Sequence, residues 1–203
     1  MKEPIAIIGA GLMGHGLALV FAQGGHEVHV TDPQAGALAS LQARITETLV
    51  SLGRDTSCVA HVHAVTSLEA AVSNADIVVE AAPEKLELKQ ELFERIESAA
   101  RSDAILASNT SVIPITRIME GLRDRSRALG THWWNPPFLV PLVEVIETEW
   151  TAQPAVDWTM ALHKAAGKQP VHVKKDVPGF VGNRLQHALW REAVALVEQG
   201  ICD

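Results

Sequence analysis

The first third of the chain contains the pattern that most constrains its fold. A short apolar run, Ile5 to Ile8, precedes Gly9-Ala10-Gly11-Leu12-Met13-Gly14, and an apolar segment with the character of a helix follows. A second apolar strand then leads to Asp32, eighteen residues after Gly14. This order of strand, glycine loop, helix, strand and acid is typical of a βαβ unit that binds a dinucleotide.

Each glycine of the loop has its own expected role. Gly9 permits the tight turn out of the strand, Gly11 lets the backbone approach a pyrophosphate, and Gly14 lets the helix lie against the strand. The free N–H groups at the start of the helix would then face the phosphates. The alternative is that the glycines serve only turns and packing. The surrounding strand, helix and acid favour the binding role.

Asp32 predicts which dinucleotide is bound. Its carboxylate is expected to accept hydrogen bonds from the hydroxyls of the adenosine ribose, and it would repel a 2′-phosphate. The next basic residue in the chain is Arg44, which leaves no nearby cation for such a phosphate. The sequence therefore predicts NAD, rather than NADP, as the cofactor.

Composition bounds the other possibilities. The chain has 203 residues, of which 47% are hydrophobic, and a formal net charge of −7. Such a charge disfavours binding to nucleic acid or to an anionic membrane surface. Two cysteines, Cys58 and Cys202, do not suggest a disulfide framework, and we find no signal-peptide or membrane-spanning pattern. We therefore expect a cytoplasmic protein with one full domain and little more.

Apolar periodicity predicts alternating strands and helices along most of the chain. After the first βαβ unit, helices are expected at 34–52, 67–73, 86–100, 113–121 and 153–167, and strands at 62–65, 76–81, 104–107, 127–131, 140–146 and 170–174. This order predicts an α/β fold with a Rossmann-like, doubly wound and mostly parallel sheet. The strand at 140–146 is expected to run antiparallel to its predecessor, because only a short loop joins them.

A change of character near Lys175-Asp176-Val177-Pro178-Gly179 predicts a domain boundary. We expect residues 1–176 to form the dinucleotide-binding domain and residues 177–203 to begin an all-α domain, with a helix from about 180 to 199. The apolar side of that helix has no partner in the sequence; it comprises Leu185, Ala188, Leu189, Ala193 and Leu196. Either the chain is truncated or this face is buried in an oligomer.

Two residues on adjacent predicted strands are candidates for acid–base chemistry. His132 ends one strand, and Glu144 lies on the next, twelve residues later. The turn at Asn135-Pro136-Pro137 would allow an antiparallel return that brings the two side chains together. A histidine held by a carboxylate is an oriented general base, but a core histidine can have the same partner. The two residues alone leave both interpretations open.

Several motifs resemble the L-3-hydroxyacyl-CoA dehydrogenase family. They are Ser108-Asn109-Thr110-Ser111, His132-Trp133-Trp134-Asn135-Pro136, Leu142-Val143-Glu144-Val145 and the run from Lys175 to Arg184. The motifs occur in the family's order, and the resemblance covers essentially the whole chain. It implies that His132 takes the proton of a 3-hydroxyl group while C3 gives a hydride to the nicotinamide, and that Glu144 holds the imidazole.

The resemblance also implies roles for residues around this pair. Ser111 and Asn183 would hydrogen-bond the reacting oxygen or a neighbouring carbonyl. Asn135 would lie near the nicotinamide, and Glu84 and Lys89 would add further cofactor contacts. Glu84 and Lys89 would otherwise form a solvated helix start. The helical C-terminal part would form a homodimer.

The sequence departs from the family at the pair after the catalytic histidine. Trp133-Trp134 stands where the acyl-CoA enzymes more often have two phenylalanines. The tryptophans either pack in the core or line a narrower substrate pocket. A second histidine pair, His61 and His63, could face one way on a strand, but no third ligand is evident, which favours a surface strand over a metal site.

A second departure concerns the substrate. The segment after Asp32 carries only Arg44 and Arg54 as basic residues, whereas the phosphates of CoA need several cationic partners. We therefore expect NAD-dependent oxidation of a 3-hydroxy group to the ketone, as in the 3-hydroxyacyl-CoA enzymes. The same chemistry on a free 3-hydroxy acid or an aromatic alcohol is the first alternative, and a non-catalytic NAD-binding protein is the second.

Overall fold

A single eight-stranded sheet forms the centre of the molecule in the computed structural model, which describes residues 2–203. The strands are β1 (Ile5–Ile8), β2 (Val28–Thr31), β3 (Val62–Ala64), β4 (Ile77–Glu80), β5 (Ile105–Ser108), β6 (Ala128–Trp133), β7 (Leu142–Ile146) and β8 (Gln169–Val173). The helices are α1 (Leu12–Gln23), α2 (Ala35–Ala39), α3 (Leu41–Ser51), α4 (Leu68–Val72), α5 (Leu86–Ala99), α6 (Ile115–Met119), α7 (Gln153–Ala165) and α8 (Gly182–Glu198).

The strand order shows where the chain changes direction across the sheet. β1 pairs in parallel with both β2 and β4, and the full order is β3-β2-β1-β4-β5-β6-β7-β8. The chain thus builds outward from β1 to β3 and then crosses back to β4. In doubly wound sheets, ligands bind at the carboxyl ends of the strands beside this crossing. β7 runs antiparallel to β6, as expected, and the predicted fold class is confirmed.

Alternate residues of the central strands face two separate hydrophobic layers. In β1, Ile5 and Ile7 pack in a cluster with α1, α3 and α7, whereas Ala6 and Ile8 pack in a cluster with α4, α5 and α6. The strand is apolar throughout because helices cover both faces of the sheet. This buried centre gives the loops at the carboxyl edge a rigid support.

Several predicted elements differ in extent from the observed ones, and three of them change a helix boundary or the place of His132. The helix predicted at 34–52 is divided at Ser40, whose hydroxyl donates to the carbonyl of Gly36 and competes with regular helical bonding. The helix predicted at 113–121 covers only Ile115–Met119, because the chain before it is held in a loop by Glu84. The strand predicted at 127–131 continues to Trp133, which places His132 inside β6.

The last helix differs from the others in its packing. None of the residues of α8 is buried, and Leu185, Leu189 and Val194 are each more than half exposed. Its apolar side therefore has no partner in residues 2–203, as the sequence predicts. No helix in this described part of the chain is both long enough and apolar enough to cross a membrane. Cys58 and Cys202 are both free.

Candidate active site

The glycine loop lies between β1 and α1, at the carboxyl edge of the sheet. Gly9 has a φ of +112°, and a Cβ there would lie only 2.7 Å from the carbonyl oxygen of Ala81. A Cβ on Gly14 would lie 1.8 Å from the carbonyl oxygen of Gly9. A Cβ on Gly11, in contrast, would meet no atom within 4 Å, so the space before the helix start is open. The loop fits the pyrophosphate of a dinucleotide approaching the N–H groups of α1.

Asp32 lies directly beside this loop, after the end of β2. Its Oδ2 accepts a hydrogen bond of 2.7 Å from the N–H of Ala10, and its Oδ1 accepts one of 2.8 Å from the N–H of Gln34. Carboxylate oxygens accept more than one hydrogen bond, so the ribose hydroxyls of NAD have acceptors here. Arg44 joins the same loop to α2 by donating to the carbonyl oxygens of Ala10 and Ala37, at 2.6 and 2.9 Å.

His132 and Glu144 form a directly opposed pair on β6 and β7. The register of the antiparallel strands aligns them, and Nδ1 of His132 lies 2.8 Å from Oε2 of Glu144. Both side chains are buried, at 4% and 1% exposure. With the carboxylate ionised, Nδ1 is the donor, and Nε2 is left as the basic nitrogen of the ring. An imidazole held in this way can act as an oriented base, and it shares a cavity with Met13 of the glycine loop.

The other oxygen of Glu144 is held by the start of α8. Oε1 accepts hydrogen bonds from the N–H groups of Val181 and Gly182, at 2.8 and 2.9 Å. Burial alone would raise the pKa of Glu144, but the hydrogen bond from His132 and those from Gly182 and Val181 together lower it below its ordinary value. The carboxylate is therefore kept ionised beside the imidazole. Our sequence reasoning missed these backbone donors, although they lie in the Lys175–Arg184 motif.

The two tryptophans after His132 have different surroundings, because successive residues of a strand face opposite sides of the sheet. Trp133 is 2% exposed and packs in the core, where its ring centroid lies 5.5 Å from that of Phe21. Trp134 faces the site, with its ring centroid 5.5 Å from that of His132. Core packing thus describes the indole of Trp133, and Trp134 borders the cavity beside His132.

Ser111 and Asn183 meet across the site from two different elements. Nδ2 of Asn183, in the first turn of α8, donates a hydrogen bond of 2.9 Å to the carbonyl oxygen of Ser111, which follows β5. The N–H of Ser111 in turn donates to Oε1 of Glu84 at 3.0 Å. The structure therefore brings together the two residues predicted to contact the reacting oxygen.

A cavity of about 460 Å³ joins these parts. Six of its lining residues are predicted site residues: Met13, Glu84, Ser111, His132, Asn135 and Asn183. The others are Ala81, Ala82, Asn109, Trp133 and Trp134. Asn109 was not predicted to act in the site; its Oδ1 accepts a hydrogen bond of 2.9 Å from the N–H of Trp133 and so ties the end of β6 to the loop after β5.

Lys89 lies inside the fold and not at a solvated helix start. Its side chain is 1% exposed, and Nζ lies 2.7 Å from Oε1 of Glu80, 3.3 Å from Oε2 of Glu84 and 3.3 Å from the carbonyl oxygen of Ala82. Protein acceptors thus face all the donors of the ammonium group, because the fully buried Glu80 needs a cation beside it. Lys89 supports the site from inside, with its ammonium group beside Glu80, Glu84 and the carbonyl oxygen of Ala82.

Glu84, for which a cofactor contact is predicted, lines the cavity. Burial would raise its pKa, but the Thr110 hydroxyl, the Lys89 ammonium and the N–H groups of Ser111 and Val112 lower it below the ordinary value. An ionised Glu84 therefore holds the loop after β5 in place. The sequence analysis assigned no role in the site to Glu80 or Thr110. The charged Glu80 at the end of an apolar strand could have indicated a role for that residue.

His61 and His63 share the carboxylate of Glu27, which directly precedes β2. His61 ends a short 3₁₀ helix, and His63 lies on β3. Their ring nitrogens lie 2.6 and 2.7 Å from the two carboxylate oxygens of Glu27. Among residues 2–203, no group of three histidine, cysteine or acidic side chains is arranged to hold a metal ion.

Comparison with known proteins agrees with this geometry. The family of the 3-hydroxyacyl-CoA dehydrogenase NAD binding domain matches residues 4–177. The chain is 41% identical to 5-formyl-3-hydroxy-2-methylpyridine 4-carboxylate 5-dehydrogenase of Mesorhizobium japonicum, over 100% of this chain and 67% of that protein. It is 41% identical to L-carnitine dehydrogenase of Streptomyces coelicolor, over 97% of this chain and 63% of that protein.

A solved structure extends the comparison to the fold. The 3-hydroxybutyryl-CoA dehydrogenase of Escherichia coli K12 superposes with a TM-score of 0.91 at 33% identity, over 100% of this chain and 44% of that one. The chain spans 63% and 67% of the two curated relatives. Because the family match covers most of the sequence, and the loop and Asp32 fit its cofactor, the chain belongs to the NAD-dependent 3-hydroxyacyl-CoA dehydrogenase family.

Proposed function

We propose that this protein oxidises a secondary alcohol β to a carboxyl group, with NAD as the hydride acceptor and His132 as the general base. The observation that carries the proposal is the buried hydrogen bond of 2.8 Å between His132 and Glu144. It leaves Nε2 of the imidazole as a base at a cavity that Ser111 and Asn183 also line. Geometry of this kind suits proton abstraction from a hydroxyl group.

The proposed step balances one proton and one hydride. The O–H bond of the substrate breaks as its proton passes to Nε2 of His132. The C–H bond on the carbon that carries the hydroxyl group breaks as the carbonyl forms. Bound NAD supplies the acceptor for that hydride. Glu144 stabilises the imidazolium, and Ser111 and Asn183 hydrogen-bond the reacting oxygen while its charge changes. In the reverse direction the imidazolium acts as the acid.

Cofactor placement follows from the same loops. Asp32 would accept hydrogen bonds from the adenosine ribose, and the open face at Gly11 would receive the pyrophosphate. Asn135 and Glu84 line the cavity where the nicotinamide end would lie. The nicotinamide would then lie near His132, as hydride transfer requires.

For the substrate, we favour a free hydroxy acid or a ring-bound alcohol over a CoA thioester. The two basic residues in the segment that directly follows Asp32 already have protein partners. Arg44 donates to the carbonyls of Ala10 and Ala37, and Arg54 donates to Oε1 of Gln23. CoA phosphates would have to displace these contacts. Similarity to L-carnitine dehydrogenase and to the pyridine 4-carboxylate dehydrogenase supports the same choice. The likeness to 3-hydroxybutyryl-CoA dehydrogenase keeps the thioester as the second candidate.

Formation of NADH by the purified protein tests the proposal. The panel contains L-carnitine, free 3-hydroxybutyrate, a pyridine alcohol with a neighbouring carboxylate, and 3-hydroxybutyryl-CoA, with His132→Ala as the control. Turnover of the free compounds alone supports the proposal. Turnover of the thioester alone would replace it by the second candidate. NAD binding without turnover of any compound would instead favour a non-catalytic NAD-binding protein.

We also propose that α8 forms a homodimer contact, since it buries none of its residues against the rest of the chain. Exposed apolar side chains along a helix are typical of an interface between subunits. Sedimentation of the protein and of Leu189→Asp tests this proposal, because a charge on the exposed face should shift a dimer to monomer. Equal sedimentation of a monomer in both cases would contradict it.

A further inference from the structure

Every residue from Phe180 to Asn183 contacts a member of the candidate active site. The ring centroid of Phe180 lies 5.6 Å from that of His132. The N–H groups of Val181 and Gly182 both donate to Oε1 of Glu144. Asn183 donates to the carbonyl oxygen of Ser111. The start of α8 is therefore joined to the base, to its carboxylate and to the opposite wall of the cavity.

The chain that leads into these residues is held firmly. Asp176 accepts hydrogen bonds from the N–H and the hydroxyl of Thr116, at 2.7 and 2.8 Å, and so fixes the segment to α6. Phe180 has a φ of +49°, a conformation that a residue with a bulky side chain rarely adopts, and its side chain is fully buried. Such a conformation persists only where surrounding contacts determine it, which is common at functional sites.

Gly182 is closely packed against two groups of the site. A Cβ at this position would lie 2.5 Å from Cζ2 of Trp134 and 3.2 Å from Oε2 of Glu144. The indole and the carboxylate therefore lie against the backbone of α8 where any other residue would have a side chain. The absence of a side chain at Gly182 is needed for both groups to hold their observed positions.

We propose that Gly182 is a positioning residue for the proposed dehydrogenase reaction. Its N–H holds Oε1 of Glu144, and its missing side chain leaves room for Oε2 to face Nδ1 of His132. Because both oxygens of the carboxylate are then committed, the carboxylate cannot rotate, and the proton of the neutral imidazole stays on Nδ1. Nε2 is thereby kept free as the base.

The variant Gly182→Ala tests this inference with a readout that does not depend on activity. ¹⁵N NMR of the histidine ring nitrogens distinguishes a proton on Nδ1 from one on Nε2, and the His132→Ala variant identifies the signals. We expect the native protein to show His132 with its proton on Nδ1, and Gly182→Ala to show a mixture of the two tautomers. We expect kcat to fall at least about tenfold, because small misplacements of catalytic groups are costly. KM for NAD should stay within about twofold, since Gly182 contacts no part of the glycine loop.

Two further variants control for a general effect of the added methyl group. Gly36→Ala makes the same change on α2, where a Cβ would meet no atom within 4 Å, and it should alter neither the tautomer nor kcat. Trp134→Phe removes the indole atoms that approach Gly182. Gly182→Ala should therefore have a smaller effect on the tautomer and on kcat when Trp134→Phe is already present than it has in the native protein. The double variant also provides a folded protein if Gly182→Ala alone impairs folding.

The outcomes separate this inference from the proposed function. An unchanged tautomer in Gly182→Ala would overturn the inference, and so would a changed tautomer with an unchanged kcat. A failure of Trp134→Phe to restore either property would overturn the steric explanation. If the native protein oxidises no alcohol in the panel, the proposed function fails, while the tautomer measurement still decides whether Gly182 positions the pair.

Discussion

His132 and His163 are both buried histidines, but the structure surrounds them differently. His132 has Glu144 at 2.8 Å and borders a cavity. His163 is fully buried, donates from Nδ1 to the carbonyl oxygen of Thr159 at 2.7 Å, and has no partner at Nε2 among the described residues. Burial lowers the pKa of His163 to about 4, so it stays neutral at ordinary pH. The carboxylate partner and the cavity make His132 suited to proton exchange. His163 has neither, and its burial suits a role in packing.

Replacement of His132 should have the largest effect on catalysis. We expect His132→Ala to lower kcat by roughly a thousandfold or more, because the variant lacks the imidazole that accepts the hydroxyl proton. The affinity for NAD should stay within a few-fold, which calorimetric titration measures. His163→Phe is the matched control, and it should retain most of the activity. Loss of activity in the control alone would reverse the distinction between the two histidines.

Removal of the charge on Glu144 should have the next largest effect. Glu144→Gln keeps the shape of the side chain but offers Nδ1 of His132 an amide instead of a carboxylate, so the imidazolium loses its stabilising charge. We expect kcat to fall by about a hundredfold, since a proton acceptor remains but is poorly oriented and less stabilised. Steady-state kinetics with matched circular dichroism spectra measure this effect. An unchanged kcat would assign Glu144 a purely structural role.

The sequence reveals the glycine loop and the succession of strands and helices well, because both depend on local patterns. Gly9, Gly14 and Asp32 lie where the βαβ motif predicts them, since backbone sterics at a tight turn leave few alternatives. The pairing of His132 with Glu144 also follows from a short antiparallel connection. Local patterns explain these features almost completely.

Contacts between distant segments could not be read in the same way. Lys89 resembles a surface residue of an amphipathic helix, yet Glu80, at the end of a neighbouring strand, draws it into the interior. The backbone donors at Val181 and Gly182 reach Glu144 across nearly forty residues of sequence, and backbone groups carry no residue-specific signal. The sequence shows only that position 182 has no side chain. The structure shows that Trp134 and Glu144 lie where a side chain would be.

His163 should contribute to the pH dependence of the free energy of unfolding. Its pKa is about 4 in the folded protein and about 6.5 in an unfolded chain. Between these values the unfolded chain binds a proton that the folded protein does not, so the free energy of unfolding falls as the pH is lowered from 6.5 to 4. The loss should approach about 3 kcal/mol at pH 4 and below. Urea unfolding at a series of pH values measures it, and His163→Phe should lack this component. An identical pH dependence in both proteins would show that His163 is not held neutral.

The smallest expected effect concerns the charge next to His163. Lys168 is nine-tenths buried, donates to the carbonyl oxygens of Pro137 and Val140, and lowers the pKa of His163 further by its positive charge. Lys168→Met should therefore move the titration of His163 towards 6.5, and the pH-dependent loss of stability should shrink by less than about 1 kcal/mol. Arg54→Met removes a neighbouring cation that does not act on His163, and it should leave this titration unchanged. NMR titration of the His163 ring measures both variants. If Lys168→Met also leaves the titration unchanged, burial alone accounts for the low pKa, and the contrast with His132 depends only on the carboxylate and the cavity.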